Sequence, residues 1–292
     1  MRHALVPRLA TTALLAVAAL AACKTEQKPQ PAAPPAAPPP PHAMTIHAKD
    51  FAFTMPDTLP AGVTTITLVN DGPDVHHAEF IRLDSGHTAA DFAAGMKAMM
   101  ASKNPPPPPA WVVMSGGPNP PMPGAQTTAT IDLAPGNYVV VCFVDSPDHV
   151  PHVAKGMAHP LTVVASPGAA PAFPASDISV TTTEYGFALS DTVRAGHHTF
   201  EVKQAGAQPH EVVLVKLAPG KTPADLGKWA ATYKGPMPGA IMGGVSPLMP
   251  GMRSQFSADI TPGNYVMLCF VPDTKDGKLH VEHGMVMPFT VS

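Results

Sequence analysis

Two stretches of this 292-residue chain carry the same donor atoms in the same order. Gly136-Asn137-Tyr138-Val139-Val140-Val141-Cys142-Phe143-Val144 is followed by His149, His152 and Gly156-Met157. Gly263-Asn264-Tyr265-Val266-Met267-Leu268-Cys269-Phe270-Val271 is followed by His280, His283 and Gly284-Met285. A thiol, an imidazole and a thioether form a soft ligand set, which suits copper better than zinc or calcium. Alternate residues of a strand share a face, so Tyr138, Val140 and Cys142 point one way and Val139, Val141 and Phe143 the other. Each cysteine therefore closes a core-facing row.

The elements that must position these donors are also written twice. Phe51-Ala52-Phe53 matches Tyr185-Gly186-Phe187, Gly62 matches Gly196, His76 matches His210 and Leu83 matches Leu217, all at an offset of 134. Further on, Gly116-Gly117 matches Gly243-Gly244, Met122-Pro123-Gly124 matches Met249-Pro250-Gly251, and Cys142 matches Cys269, at an offset of 127. The seven extra residues of the first copy fall at 104–110, with five prolines. A repeat held over this length marks two copies of one structural unit.

Each copy reads as short, β-branched strands punctuated by glycine and proline. They are 63–69, 78–83, 127–133, 138–144 and 161–164 in the first, and 199–203, 211–217, 254–260, 265–271 and 287–291 in the second. One helix interrupts each series. Thr222-Pro223-Ala224-Asp225 supplies a capping hydroxyl, a first-turn proline and an acid three residues on, and Leu226, Trp229 and Tyr233 follow on one face. Thr88-Ala89-Ala90-Asp91 repeats the signal ahead of Phe92, Met96 and Met99. The expected fold class is all-β: two tandem β-sandwich domains over 44–165 and 177–292, joined by a Pro/Ala-rich linker at 166–176, each with one short helix in an inserted segment.

Gly-x-Tyr-x-x-x-Cys, then His, then four residues and Met, resembles the last strand and ligand loop of the cupredoxins, the plastocyanin and azurin family. The resemblance covers residues 44–292 and implies a Greek-key sandwich in which an upstream histidine completes a Cys, two-His site with a weak axial Met, suited to one-electron transfer. The matching positions are His76, Cys142, His152 and Met157 in the first copy, and His210, Cys269, His280 and Met285 in the second. Copper, at most one ion per domain, is the implied cofactor. Three features depart from the family. Val140 or Met267 replaces an aromatic, His77 or Glu211 follows the upstream histidine where an Asn is usual, and the Cys-to-His loop holds nine or ten residues.

Plainer readings of the same residues stay open. Cys142 and Cys269 could be inert buried thiols or pair as a disulfide, and the methionines, Met122, Met242, Met249 and Met252 among them, could fill gaps in the core. His76 and His77 face opposite sides of a strand, and only the repeat register selects His76. His149 and His283 could replace or supplement their neighbours. Val141 and Phe143 flank one cysteine, Leu268 and Phe270 the other, so the histidine that wires an electron-transfer copper to a catalytic one in multicopper oxidases and nitrite reductases is missing. Neither a hydrolytic triad nor a phosphate-binding glycine loop is evident. The expectation is a protein that is no enzyme: an electron carrier with a redox partner, a copper buffer exchanging with a copper donor or acceptor, or a metal-free scaffold that binds a protein.

Charged residues make up 13% of the chain and the formal net charge is −3, with no basic run, which argues against a nucleic-acid partner. At the N-terminus, Arg2 and Arg8 precede an apolar run over 9–20 and then Leu20-Ala21-Ala22-Cys23, which resembles a bacterial lipoprotein signal with Cys23 as the lipidated residue. The run is too short to span a bilayer. Residues 24–43, rich in Pro and Ala, read as an extended tether. Lys24 after the cysteine points to the periplasmic side of the outer membrane, with the lipid bilayer as a partner through the anchor.

Overall fold

A computed structural model of the chain describes residues 37–49, 51–102, 107–230, 232 and 234–292. The signal segment, Cys23 and most of the tether lie outside the described residues, as do Tyr233 and part of the insert at 104–110. Pro38 to Ser292 form one compact unit.

Each repeat is a β-sandwich. In the first, the strands Ala52–Thr54, His42–Lys49, Gly62–Asn70 and Gln126–Leu133 lie side by side, and face a sheet ordered Thr58–Pro60, Ala158–Val164, Gly136–Val141, Glu79–Leu83 and Val112–Met114. Ile46, Ile66, Leu68 and Ile131 of one layer meet Phe80, Tyr138, Val140 and Leu161 of the other in a single apolar cluster. The second repeat sets Gly186–Leu189, Ile178–Thr183, Gly196–Gln204 and Arg253–Ile260 against Gly239–Leu248, His210–Leu217, Gly263–Leu268 and Val286–Val291. Its core joins Val180, Phe200, Val202 and Phe256 to Leu214, Tyr265 and Met267.

The two sandwiches have separate cores but share a sheet. Gln126–Leu133 pairs antiparallel with Arg253–Ile260, Ala129 opposite Phe256, so one eight-stranded sheet crosses both repeats. The other layers are stitched by Gly116 N–H to Pro247 O at 2.9 Å and Ser246 N–H to Gly117 O at 2.8 Å. Residues 166–176 belong to no helix or strand, and Pro174 O accepts from Gln255 Nε2 at 2.9 Å.

Both helices form where the capping signals place them. In Ala89–Ala101 the Thr88 hydroxyl accepts from Asp91 N–H while the Asp91 carboxylate accepts from Thr88 N–H, a reciprocal cap of about 1 kcal/mol. Phe92 then packs on Ile81, Val139 and Val141. Pro223–Ala230 presents Leu226 and Trp229 to Val215 and Leu268 in the same way.

Several strands exceed or escape the sequence expectation. His42 and Ala43, assigned to the tether, begin the strand His42–Lys49, in which Met44, Ile46 and Ala48 alternate inward. Gly239–Leu248 contains Gly243, Gly244 and Pro247, and its turn-like composition conceals a bulged ladder with His210–Leu217. The cysteine strands stop at Val141 and Leu268, so each cysteine stands one residue past the ladder.

Candidate metal centres

The alternation read from sequence holds beyond the strand end. Tyr138, Val140 and Cys142 join the sandwich core, whereas Val139, Val141 and Phe143 pack under the helix. Being buried on both faces, the strand holds the thiol rigidly. Cys142 and Cys269 are free thiols, fully buried, and no disulfide joins them.

The long Cys-to-His loops double back. In the first, Asp145 bridges to Pro151, and His152 N–H then donates to Val144 O at 2.9 Å and Val153 N–H to Cys142 O at 2.7 Å. A 3-10 turn at His152–Lys155 ends on Gly156, whose φ of 99° permits the reversal that brings Met157 N–H to His152 O at 3.0 Å. In the second, Pro272 bridges to Leu279, His280 N–H donates to Val271 O at 2.9 Å, and Met285 N–H donates to His280 O at 2.9 Å. The additional residues therefore project as a small hairpin, and loop length does not carry the histidine away from the cysteine.

The structure brings His76, Cys142 and His152 together, and likewise His210, Cys269 and His280, each group with its donor atoms within 4.8 Å. His76 Nδ1 lies 3.0 Å from His152 Nδ1, which is 3.4 Å from Cys142 Sγ. His210 Nδ1 lies 3.0 Å from His280 Nδ1, and Cys269 Sγ lies 3.4 Å from His280 Nδ1 and 3.9 Å from His210 Nδ1. All six side chains are 0% exposed. Met157 and Met285 are equally buried, in the same apolar clusters as Cys142 and Cys269.

His77 takes another role. His76 and His77 lie just ahead of the strand Glu79–Leu83 rather than on it, and His77 Nε2 accepts the backbone N–H of Phe143 at 2.8 Å, tying this segment to the residue after Cys142. Glu211 does the same in the second repeat, Oε1 accepting from Phe270 N–H at 2.7 Å, while its own N–H faces Cys269 Sγ at 3.5 Å. The missing Asn is thus replaced by two unlike side chains in one structural position. His149 and His283 join neither group; His283 stacks on Tyr185 and pairs with Asp276 at 3.1 Å. Met242 and Met252 pack against the second core.

Sequence reasoning missed several supporting residues. A Cβ on Gly206 would lie 2.6 Å from His210 Nε2 and force a shift, and one on Gly72 would lie 3.1 Å from His76 Nε2 and press on that ring more lightly. The signal was present, because Gly72 and Gly206 recur at the offset of 134. Gly117 and Gly244 have φ of 139° and 134°, and a Cβ on either would overlap the carbonyl of Ala78 or Val212, two residues past each upstream histidine.

Burial sets the electrostatics. It pushes the Cys142 thiol up to about 12 and raises that of Cys269 as well. Burial, then the facing imidazole, lowers His152 and His210 to about 4. Glu79 is raised to about 8 by burial and by the Glu211 carboxylate, itself raised to about 7 by burial. The described chain thus sets neutral His152, His210 and His280 imidazoles beside protonated thiols, with those three Nε2 atoms buried without a hydrogen-bond partner. Bonds of about 2.0–2.3 Å, usual for imidazole nitrogen and thiolate sulfur on a transition metal, span triangles of these dimensions. A bound cation would displace the thiol proton and make the thiolate the preferred form. Two imidazoles, a thiolate and a nearby thioether are the donor set that fits copper.

No protein-family profile and no curated protein matches the chain. Among solved structures it is similar to auracyanin A, a "blue" copper protein from Chloroflexus aurantiacus, at 23% identity and a TM-score of 0.28, over 42% of this chain and 99% of that one. It is also similar to a multicopper oxidase at 16% identity and a TM-score of 0.25, over 86% of this chain and 88% of that one. A copper nitrite reductase from Nitrosomonas europaea matches at 14% identity and a TM-score of 0.25, over 86% of this chain and 93% of that one. The fold itself is two β-sandwiches in tandem. The expectation that the chain is no enzyme is withdrawn, because two of the structures to which it is similar are a multicopper oxidase and a copper nitrite reductase. The absence of a histidine beside each cysteine removes one through-bond wire and does not define a class.

Proposed function

We propose that this protein is an extracytoplasmic copper-binding protein that transfers single electrons through two mononuclear centres, one per repeat. The observation that carries the reading is the twofold convergence of two Nδ1 atoms and one Sγ, 3.0 and 3.4 Å apart, in wholly buried pockets. His76, Cys142 and His152 would be the strong ligands of the first ion and His210, Cys269 and His280 those of the second, with Met157 and Met285 as weak axial ligands. Copper bound there supplies a one-electron couple. The chain's contribution is to hold the donors. His77 and Glu211 lock the histidine segment to the cysteine, Gly72 and Gly206 let the turn cross the imidazole, and the packed strand faces exclude water from the thiolate.

Among the described residues no helix is long and apolar enough to cross a membrane. Attachment through a lipidated Cys23 to the periplasmic side of the outer membrane, with residues 24–43 as spacer, belongs to the proposal. So does exchange of electrons with a redox partner protein at that surface. Cys23→Ser should release the chain from the membrane fraction.

Loading the purified protein with Cu(II) tests the reading. Two equivalents should bind and give an intense visible thiolate-to-copper band, of which Cys142→Ala and Cys269→Ala each remove one component. A colourless protein with no stoichiometric copper overturns it.

A further inference from the structure

The two centres do not have the same surroundings. In the second repeat the buried Asp273 places Oδ2 3.9 Å from His280 Nε2. That oxygen accepts from Tyr185 Oη at 2.5 Å and Gln208 Nε2 at 2.8 Å, and Oδ1 accepts from Lys275 N–H at 2.7 Å and Asp276 N–H at 3.2 Å. Four donors on one carboxylate favour its ionised form.

In the first repeat the same place is held by Ser146. The backbone shows the equivalence: Ser146 N–H donates to Val150 O at 3.0 Å as Asp273 N–H donates to Lys278 O at 2.7 Å. Ser146 is buried and carries no charge, and its Oγ has no hydrogen-bond partner. The flanking positions differ as well. Phe51 stands for Tyr185, and an ammonium, Lys155, stands for the imidazole of His283, with Lys155 Nζ 4.9 Å from the Phe51 ring as His283 stacks on Tyr185 at 4.8 Å. Asp74 replaces Gln208; it is partly exposed, and its charge acts on His152 from outside ion-pair distance. The first centre thus has a partly exposed acid and the Lys155–Asp148 ion pair, at 2.9 Å, beside it, and the second a buried, fixed anion.

We propose that the two centres differ in reduction potential, with the second repeat's lower because the Asp273 carboxylate beside His280 stabilises the more positive, oxidised ion. The proposal rests on the copper reading above. A negative charge close to a metal in a poorly screened interior favours the higher oxidation state. The centres would then fill with electrons in order, the first repeat before the second, rather than as an equivalent pair.

Spectroelectrochemical titration of the copper-loaded full chain should resolve two one-electron waves, assigned by Cys142→Ala and Cys269→Ala. The wave lost in Cys269→Ala should be the lower. Asp273→Asn should raise that wave by at least a tenfold change in the oxidised-to-reduced ratio, about 59 mV for one electron, and leave the other in place. Ser146→Asp, which leaves the second repeat intact, should lower the first wave, and Tyr185→Phe should shift the second without removing the carboxylate. Coincident waves, a higher second wave, or indifference to Asp273→Asn and Ser146→Asp would overturn the ordering while the visible band still upholds copper binding. Absence of that band before any titration would overturn both.

Discussion

His77 Nε2 accepts the backbone N–H of Phe143 at 2.8 Å, and this bond ties the segment that carries His76, just ahead of the strand Glu79–Leu83, to the residue that follows Cys142. Glu211 and Phe270 reproduce it at 2.7 Å with a carboxylate in place of the imidazole. The pairing turns an apparent irregularity of the sequence into one mechanical job done twice: positioning of two donors that stand at the ends of neighbouring strands.

Truncating that support should therefore cost stability and site order together. His77→Ala leaves the part-buried Phe143 N–H without its partner, and a loss of about 1–3 kcal/mol is expected by denaturant unfolding. His77→Asn, which retains an acceptor, should lose less. Equal losses from both would show that packing of the ring, not the hydrogen bond, is what matters.

The glycine beside each upstream histidine should discriminate between the centres. Gly206→Ala sets a methyl 2.6 Å from His210 Nε2, against 3.1 Å from His76 Nε2 for Gly72→Ala. Copper titration should find the second site weakened at least tenfold in Gly206→Ala and the first site of Gly72→Ala affected less. Unchanged binding in both would mean that the rings retreat without penalty.

Gly117→Ala and Gly244→Ala should be the most damaging alanine substitutions. Each combines a φ above 130° with overlap onto a neighbouring carbonyl, Ala78 O or Val212 O. A loss of about 3 kcal/mol or more is expected, beyond the strain of about 1–3 kcal/mol for a non-glycine residue in such a conformation. Thermal unfolding of the two variants would measure it, and a shift of only a degree or two would contradict the geometry.

Buried Glu79 makes the metal-free protein sensitive to alkali. Its carboxyl is held neutral up to about 8 by burial and by Glu211, while in the unfolded chain it ionises in the ordinary carboxylate range. The folded state therefore binds more protons between those limits, and this contribution to stability falls as pH rises from about 4.5 to 8. Glu79→Gln should remove that part of the slope and be relatively more stable at pH 8 than at pH 5. An unchanged slope in denaturant titrations at the two pH values would refute it.

Copper itself should act as a stabiliser. A ligand that binds only the folded chain raises its stability by about 2.7 kcal/mol at a hundred times its dissociation constant. The melting temperature should rise with added copper, by less in Cys142→Ala and in Cys269→Ala, and return to the starting value on chelation.

The sequence by itself determined the doubling, the strands that lead into Cys142 and Cys269, and the candidate donors, because a repeat register and a two-residue alternation are local properties of a chain. It also placed both helix caps, in which Thr88 and Asp91, or Thr222 and Asp225, interact across three residues. What it left open was decided across long separations. His76 rather than His77 faces Cys142 because the segment leading into Glu79–Leu83 turns one ring toward the buried thiol and hands the other to Phe143 N–H. The nine- and ten-residue loops leave the centres intact because Asp145 with Pro151, and Pro272 with Leu279, close them into hairpins. The contrast between Ser146 and Asp273 acquires meaning only in three dimensions, where one lies uncharged beside its centre and the other sets a carboxylate 3.9 Å from a ligand ring. Such distances depend on how strands far apart in sequence pack, and no spacing within a single stretch encodes them.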